Sequence, residues 1–209
     1  MSRVFLLSPA NCNGTRARQL VSPAAEFELA RQLRSKTGAR LGDVFSFVSG
    51  LYFRGKLTYA MRFAAPADEC GGVHIITPNA GLRQPDMRVL RQTMLGFAAG
   101  DVDPANPRYR LPLEKSARAL AETIGGTCEV VLLGSVATPK YAAVLTGIFG
   151  DRLRFPADFV GRGDMSRGGL LLRKVREGAE LEYLPIAGAV FHGSRPPKLP
   201  RYASAENPA

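Results

Sequence analysis

Three places in this sequence set hydroxyls and amides where an apolar run stops. Leu7-Ser8-Pro9-Ala10-Asn11, Ile76-Thr77-Pro78-Asn79 and Leu133-Gly134-Ser135-Val136 each put a hydroxyl within one residue of the end of an apolar stretch, and the first two add an amide shortly after. Small residues there admit a ligand to the backbone, and the amides of Asn11 and Asn79 can donate and accept toward a base edge or a sugar. Ser, Pro and Asn are also turn residues, so taken singly each junction reads more simply as turn chemistry. Taken together, the two readings stand level. A fourth cluster is Gly161-Arg162-Gly163-Asp164-Met165-Ser166-Arg167-Gly168-Gly169. Its glycines permit a tight backbone, free N–H groups at a following helix start favour an anion, and Arg162 and Arg167 can grip phosphate or carboxylate in bidentate fashion. Asp164, between them, is the candidate catalytic acid or base; a structural ion pair is its other reading. The cluster is neither a Walker A loop nor a dinucleotide fingerprint.

Further cations lie near these junctions. In Ser49-Gly50-Leu51-Tyr52-Phe53-Arg54-Gly55-Lys56 an aromatic ring, Tyr52, precedes Arg54 and Lys56 at a helix start, a pattern that can stack on and neutralise a nucleotide, or simply mark a boundary helix with snorkelling bases. Arg16 and Arg18 follow the first junction, and Lys140-Tyr141 can reach the same mouth from the helix after the third. Cys12, beside Arg16 and Arg18, is a minor nucleophile candidate with a lowered thiol pKa, whereas His74 falls inside an apolar run and reads as packed. Two histidines and three scattered cysteines give no zinc spacing, and neither a metal nor a cofactor is expected.

The elements that must position these groups alternate between strand and helix patterns. Strands are expected at Arg3–Leu7, Val73–Thr77, Cys128–Leu133 and Arg152–Phe155, with late strands at Leu181–Pro185 and Ala189–Phe191. Helices are expected from Ser22-Pro23 to Lys36, Leu51 to Ala65, Asp86 to Ala99, Leu113 to Ile124, Pro139 to Phe149 and Leu170 to Arg176, with Asp101–Pro112 a Pro-rich excursion. This alternation predicts a single α/β domain over residues 1–193, a mainly parallel sheet with helices on both faces, followed by a Pro-rich, loosely ordered tail at 194–209. Ligands of such sheets bind at the carboxyl ends of the strands, where the three junctions fall.

Composition sets the outer limits. The chain has 209 residues, 45% hydrophobic and 22% charged, which excludes a disordered chain. No apolar run is long enough to span a membrane, and the three cysteines suit a reducing, cytoplasmic compartment. The net charge of +10 is uneven: ten Lys/Arg face three acids in residues 1–62, ten face ten in 63–161, and eight face five in 162–209. If the fold brings the two ends together, the excess forms one patch for phosphate-bearing partners. Because 22 of the 28 bases are Arg, GC-rich coding is the plain competing explanation. No block of like charge or Arg-rich tract marks a nucleic-acid tail.

Read in order, the Ser8-Pro9 strand end with its basic loop, Leu51-Tyr52-Phe53-Arg54-Gly55-Lys56-Leu57-Thr58-Tyr59-Ala60, and the strand running into Thr77-Pro78-Asn79-Ala80-Gly81-Leu82 resemble a poorly characterised group of bacterial α/β proteins. That group is distantly similar to the uracil-DNA-glycosylase-like domain associated with archaeosine synthase. The resemblance covers residues 3–84, with a weaker echo in 128–145. Ala10-Asn11 stands where that group often has Cys-Ser, Asn79-Ala80 replaces a Lys-Tyr pair, and a His-Pro-Ser-Pro loop is echoed only in His192-Gly193-Ser194-Arg195-Pro196. The resemblance implies a nucleoside- or nucleic-acid-related ligand. With the residues themselves, it gives as first expectation a hydrolase or transferase acting on a phosphorylated nucleoside or nucleic-acid base, at an N-glycosidic bond. In this reading Ser8, Asn11, Tyr52, Asn79 and Ser135 meet base and sugar; Arg16, Arg18, Arg54, Lys56, Arg162 and Arg167 hold phosphate. A non-enzymatic nucleic-acid-binding module and a nucleotide sensor are the alternatives.

Overall fold

The computed structural model describes residues 2–67, 70–136, 139–187, 193, 196, 197 and 199. Four strands run parallel: β1 (Arg3–Leu7), β3 (Val73–Thr77), β6 (Glu129–Leu133) and β7 (Leu153–Pro156). Two antiparallel edge strands, β4 (Gly81–Arg83) and β8 (Tyr183–Pro185), complete a six-stranded sheet in the order β4-β3-β1-β6-β7-β8. A separate ribbon pairs β2 (Ala39–Arg40) with β5 (Arg88–Val89).

Side chains alternate across the central strands, and each face has its own core. Phe5, Leu7, Val73, Ile75, Val131 and Leu133 pack under α1 (Thr15–Val21), α2 (Glu28–Arg34), α3 (Leu41–Phe63), α4 (Arg91–Ala98) and α7 (Asp164–Glu177). Val4, Leu6, Ile76, Val130, Leu132 and Leu153 pack under α5 (Pro107–Ile124) and α6 (Pro139–Phe149). The strands thus read as nearly continuous apolar runs because both faces are covered. The result is the expected α/β architecture, three layers around a mainly parallel sheet.

The order also locates a site. From β1 the chain crosses to β3 beneath α3 on one face; from β6 it crosses to β7 beneath α6 on the other. The winding reverses between β1 and β6, whose carboxyl ends therefore part to leave a crevice.

Several expected boundaries move. Ser22-Pro23 does not start a helix: Ser22 caps the end of α1, its N–H donating to the Gln19 carbonyl and its Oγ accepting from Ala24. The expected single helix is instead two short ones, α1 and α2. α3 begins ten residues early, because Leu41, Val44, Phe45 and Val48 recur at helical spacing and all are buried. α5 begins at Pro107, capped by the Asn106 side chain on the Arg108 N–H, and tolerates Pro112 inside it. Burial of Tyr109, Leu113, Ala117, Leu120 and Ile124 along one face offsets that proline's missing hydrogen bond. α7 begins at Asp164, not Leu170. Only Arg91–Ala98 of the segment 86–99 is helical, since Arg88–Val89 pairs as a strand. The strand expected at Ala189–Phe191 lies outside the described residues, as does all of the 194–209 tail except 196, 197 and 199. No helix among the described residues is long and apolar enough to cross a membrane.

Candidate functional site

A cavity of about 910 Å³ opens at the reversal point, and its wall is drawn from every part of the chain. β1 ends in it with Ser8, the following loop adds Asn11 and Cys12, and α1 adds Arg16. α3 contributes Tyr52 and Lys56, the end of β6 contributes Ser135, α6 contributes Lys140 and Tyr141, and α7 contributes Asp164 and Arg167. Ligand pockets commonly measure roughly 300–1,000 Å³, so this one accommodates a mononucleotide-sized molecule.

Two glycine features set its rim. Gly50 interrupts α3 with φ +60°, and a Cβ there would fall 2.5 Å from Arg16 Nη1. The kink and the missing side chain let the Arg16 guanidinium lie against the helix at the mouth. Lower down, a Cβ on Gly55 would meet the Gly168 carbonyl oxygen at 2.7 Å, so the backbones of α3 and α7 nearly touch. That approach carries Asp164 and Arg167, in the first turn of α7, over Tyr52 and Lys56. Gly168 therefore serves helix packing, where the sequence pattern suggested a phosphate loop.

Arg167 is held in place rather than free. Its Nε and Nη2 donate to the Phe159 carbonyl at 3.2 and 3.0 Å, its guanidinium stacks over the Phe159 ring, and Nη1 lies 3.6 Å from Asp164 Oδ1. Its side chain is only 12% exposed, against 68% for Asp164. Lys56 is buried outright. Its Nζ donates to the Ser8 carbonyl at 2.8 Å and to Ser8 Oγ at 2.7 Å, between the rings of Tyr52 and Phe53 at 4.6 and 4.8 Å. Burial pushes the Lys56 ammonium down to about 7; Asp164 pulls it back up and Arg167 adds to the depression. Tyr141 accepts a hydrogen bond from the Ser135 N–H at 2.8 Å; burial raises the pKa of its phenol, partly offset by the Ser8 side chain. The buried Tyr52 hydroxyl makes no hydrogen bond of ordinary geometry among the described residues; burial raises its pKa, and the neighbouring Arg167 guanidinium partly offsets the rise.

No family model, curated protein or solved structure matches this chain.

Of the residues singled out by sequence, Ser8, Asn11, Arg16, Tyr52, Lys56, Ser135, Asp164 and Arg167 come together in the cavity, and Arg18, Arg54, Asn79 and Arg162 do not line it. Arg18 is exposed on α1. Arg54 lies in a neighbouring depression with Arg16 and Gly50. Arg162 turns to the Ser166 hydroxyl. Asn79 donates to the Gly96 carbonyl at 2.8 Å, and Thr77 Oγ1 donates to the Gly81 carbonyl and accepts from the Ala80 N–H. The second junction is therefore turn chemistry, and only its Pro78 reaches the cavity. Cys12 is buried and its thiol is pushed up to about 12 by that burial, the reverse of activation. His74 Nε2 donates to the Gly71 carbonyl at 3.0 Å and stays within β3, so no Cys–His pair forms. Among the described residues no cluster of three or more His, Cys, Asp or Glu is arranged to hold a metal.

The terminal charge excess meets at the mouth only in part. Arg16 and Lys56 come from the first segment and Arg167 from the last, while Arg3 pairs with Glu129 and Glu180, and Arg31 and Arg34 pair with Glu28 and Glu26. Tyr141, expected at the mouth, meets the Ser135 N–H there. The signal missed was the bonding of Lys56 to Ser8, 48 residues apart, which no local pattern encodes.

Proposed function

We propose that this chain is an enzyme acting on a phosphorylated nucleoside or a nucleic-acid base, bound in the cavity between the ends of β1 and β6. The observation that carries the reading is the convergence of Asn11, Tyr52 and Ser135 with Arg16, Lys140 and Arg167 at a sheet's winding reversal, where α/β folds take nucleotides. Polar side chains and the Tyr52 ring face a base and sugar, and the three cations sit around the rim for phosphate. Arg167 is already fixed by Phe159, so little side-chain entropy is lost on anion binding. Exposed Asp164 beside it offers a carboxylate to a developing oxocarbenium-like sugar during N-glycosidic cleavage. The resemblance of residues 3–84 to a bacterial α/β group, itself distantly similar to a uracil-DNA-glycosylase-like domain, accords with this reading.

Calorimetric and thermal-shift titration with nucleoside monophosphates tests this. Saturable binding, with roughly 2.7 kcal/mol of added stability at a hundredfold excess over Kd, is expected, and Arg167→Ala abolishes it. Release of free base from the bound nucleotide is lost in Asp164→Asn while binding stays; full release in that variant removes Asp164 from the chemistry.

One observation favours the second reading, a nucleic-acid-binding module. A depression of about 430 Å³ lined by Arg16, Gln19, Ser46, Phe47, Gly50 and Arg54 shares Arg16 with the main cavity and offers a place for a neighbouring phosphate. Oligonucleotide binding that falls steeply with salt, without saturation by mononucleotides, selects that reading.

A further inference from the structure

We propose that Ser8 is a nucleophile and Lys56 the base that activates it, a serine–lysine pair that cleaves a carboxylic ester. Lys56 Nζ lies 2.7 Å from Ser8 Oγ, and its second bond, 2.8 Å to the Ser8 carbonyl, fixes the amine on the hydroxyl of that one residue. Ser8 stands one residue beyond β1 and lines the cavity, which is where a bound carbonyl carbon would meet Oγ. The groups facing Lys56 are Tyr52 on its own helix, Ser8 from β1, and Asp164 and Arg167 on α7. Tyr141 on α6 completes the surround. Its hydroxyl accepts the Ser135 N–H and also interacts with the Ser8 side chain, so the proton that burial keeps on it lies beside Oγ, where the oxyanion would form.

A lysine serving only to clamp α3 onto β1 needs the backbone carbonyl alone; the bond to Oγ and the neutral fraction that burial creates near pH 7 are what a base requires. Such pairs do the work of a Ser-His-Asp triad on unrelated folds. With Lys56 neutral, Nζ takes the hydroxyl proton as Ser8 Oγ bonds to the ester carbonyl carbon, whose π electrons move to oxygen. Collapse breaks the bond to the alkoxide, which leaves with the proton from Lys56. Water then adds to the acyl carbon, its proton passing to Lys56; collapse frees the carboxylic acid and returns that proton to Ser8. The sum is ester plus water giving alcohol plus acid. Arg16, Lys140 and Arg167 around the mouth suit an ester whose remaining part is anionic.

The test uses an alkyl fluorophosphonate, which bonds phosphorus to an activated serine oxygen and expels fluoride, followed by intact-mass measurement and peptide mapping. One adduct on Ser8 is expected, forming faster as pH rises through about 7, and absent in Ser8→Ala. Lys56→Met slows labelling by about 100-fold or more; Lys56→Arg, which keeps the charge but cannot give up its proton, does the same and covers the case in which the Met variant does not fold. No adduct on Ser8 of the folded protein, or labelling of either folded Lys56 variant at the wild-type rate, overturns the pair. The probe contains no nucleoside, so this result stands apart from the nucleotide titrations.

Discussion

Gly55 and Gly168 face each other where two helices cross, so closely that a Cβ on Gly168 would sit 2.8 Å from the Cα of Tyr52. The neighbouring Gly169 is different: a Cβ there meets only the end of Leu199, at 3.8 Å. Two adjacent glycines of one helix therefore carry opposite consequences. Alanine improves helix propensity by about 1 kcal/mol at either site. At Gly168 the added methyl strikes backbone, which cannot move without parting α3 from α7, at a cost of roughly 1–3 kcal/mol.

Gly168→Ala is thus expected to lower stability by up to about 2 kcal/mol net in urea denaturation, and Gly169→Ala to raise it by up to about 1 kcal/mol. Because α7 carries Arg167, the anion binding proposed for that side chain is expected to weaken in the Gly168 variant. Equal stability of the two variants would show that the helices are not in backbone contact.

The far edge of the sheet depends on a different pair. Tyr59 on α3 and Tyr183 on β8 bring their hydroxyls to 2.6 Å, and the Tyr59 oxygen also accepts the Leu181 N–H at 2.7 Å. Tyr59→Phe removes one atom and strands two buried partners, so a loss of about 2 kcal/mol is expected. Tyr183→Phe removes only the hydroxyl–hydroxyl bond and costs about 1 kcal/mol. Denaturation midpoints of the two variants check the order, and faster hydrogen exchange at the Leu181 amide in Tyr59→Phe locates the effect. If Tyr183→Phe proves the more damaging, Leu181 is not the partner that matters.

The strands and the layering could be read from the chain because apolar runs such as Val130–Leu133, covered on both faces, leave few alternatives to a buried parallel strand. Helix starts were harder. The Asn106-Pro107 cap that opens α5 is a local signal, but the prolines of Asp101–Pro112 read as an excursion ahead of the helix, and only the buried stripe from Tyr109 to Ile124 outweighs Pro112. Ser22 carries the chemistry of a start and in fact closes α1, since caps of the two kinds share residue types. At the strand ends, Ser8, Asn11 and Ser135, grouped by the strand-end rule, line one cavity. Asn79 misled because its amide is spent on Gly96, 17 residues away. Lys56 was legible as a cation but not as a buried one: that depends on Ser8, Tyr52 and Phe53 closing around it, which is tertiary information.

Burial of that lysine ties stability to pH in a definite direction. The ammonium is held at about 7 in the folded protein against its ordinary 10.5. Below pH 7 both folded and unfolded chains carry the proton, and folding bears the whole cost of desolvating the charge. Between these two values the unfolded chain holds a proton that the folded chain has released, so stability gains with rising pH by up to about 1.4 kcal/mol per unit for this single proton. Lys56→Met has no such proton, while the other titrating groups are common to both proteins and cancel. The stability of the Met variant minus that of the wild type is therefore expected to be most positive below pH 7 and to shrink steadily toward pH 9, measured by urea denaturation at each pH. A difference that stays flat across that range would mean that Lys56 keeps its proton in the folded state, stabilised by Ser8 and the aromatic rings more strongly than its burial opposes it.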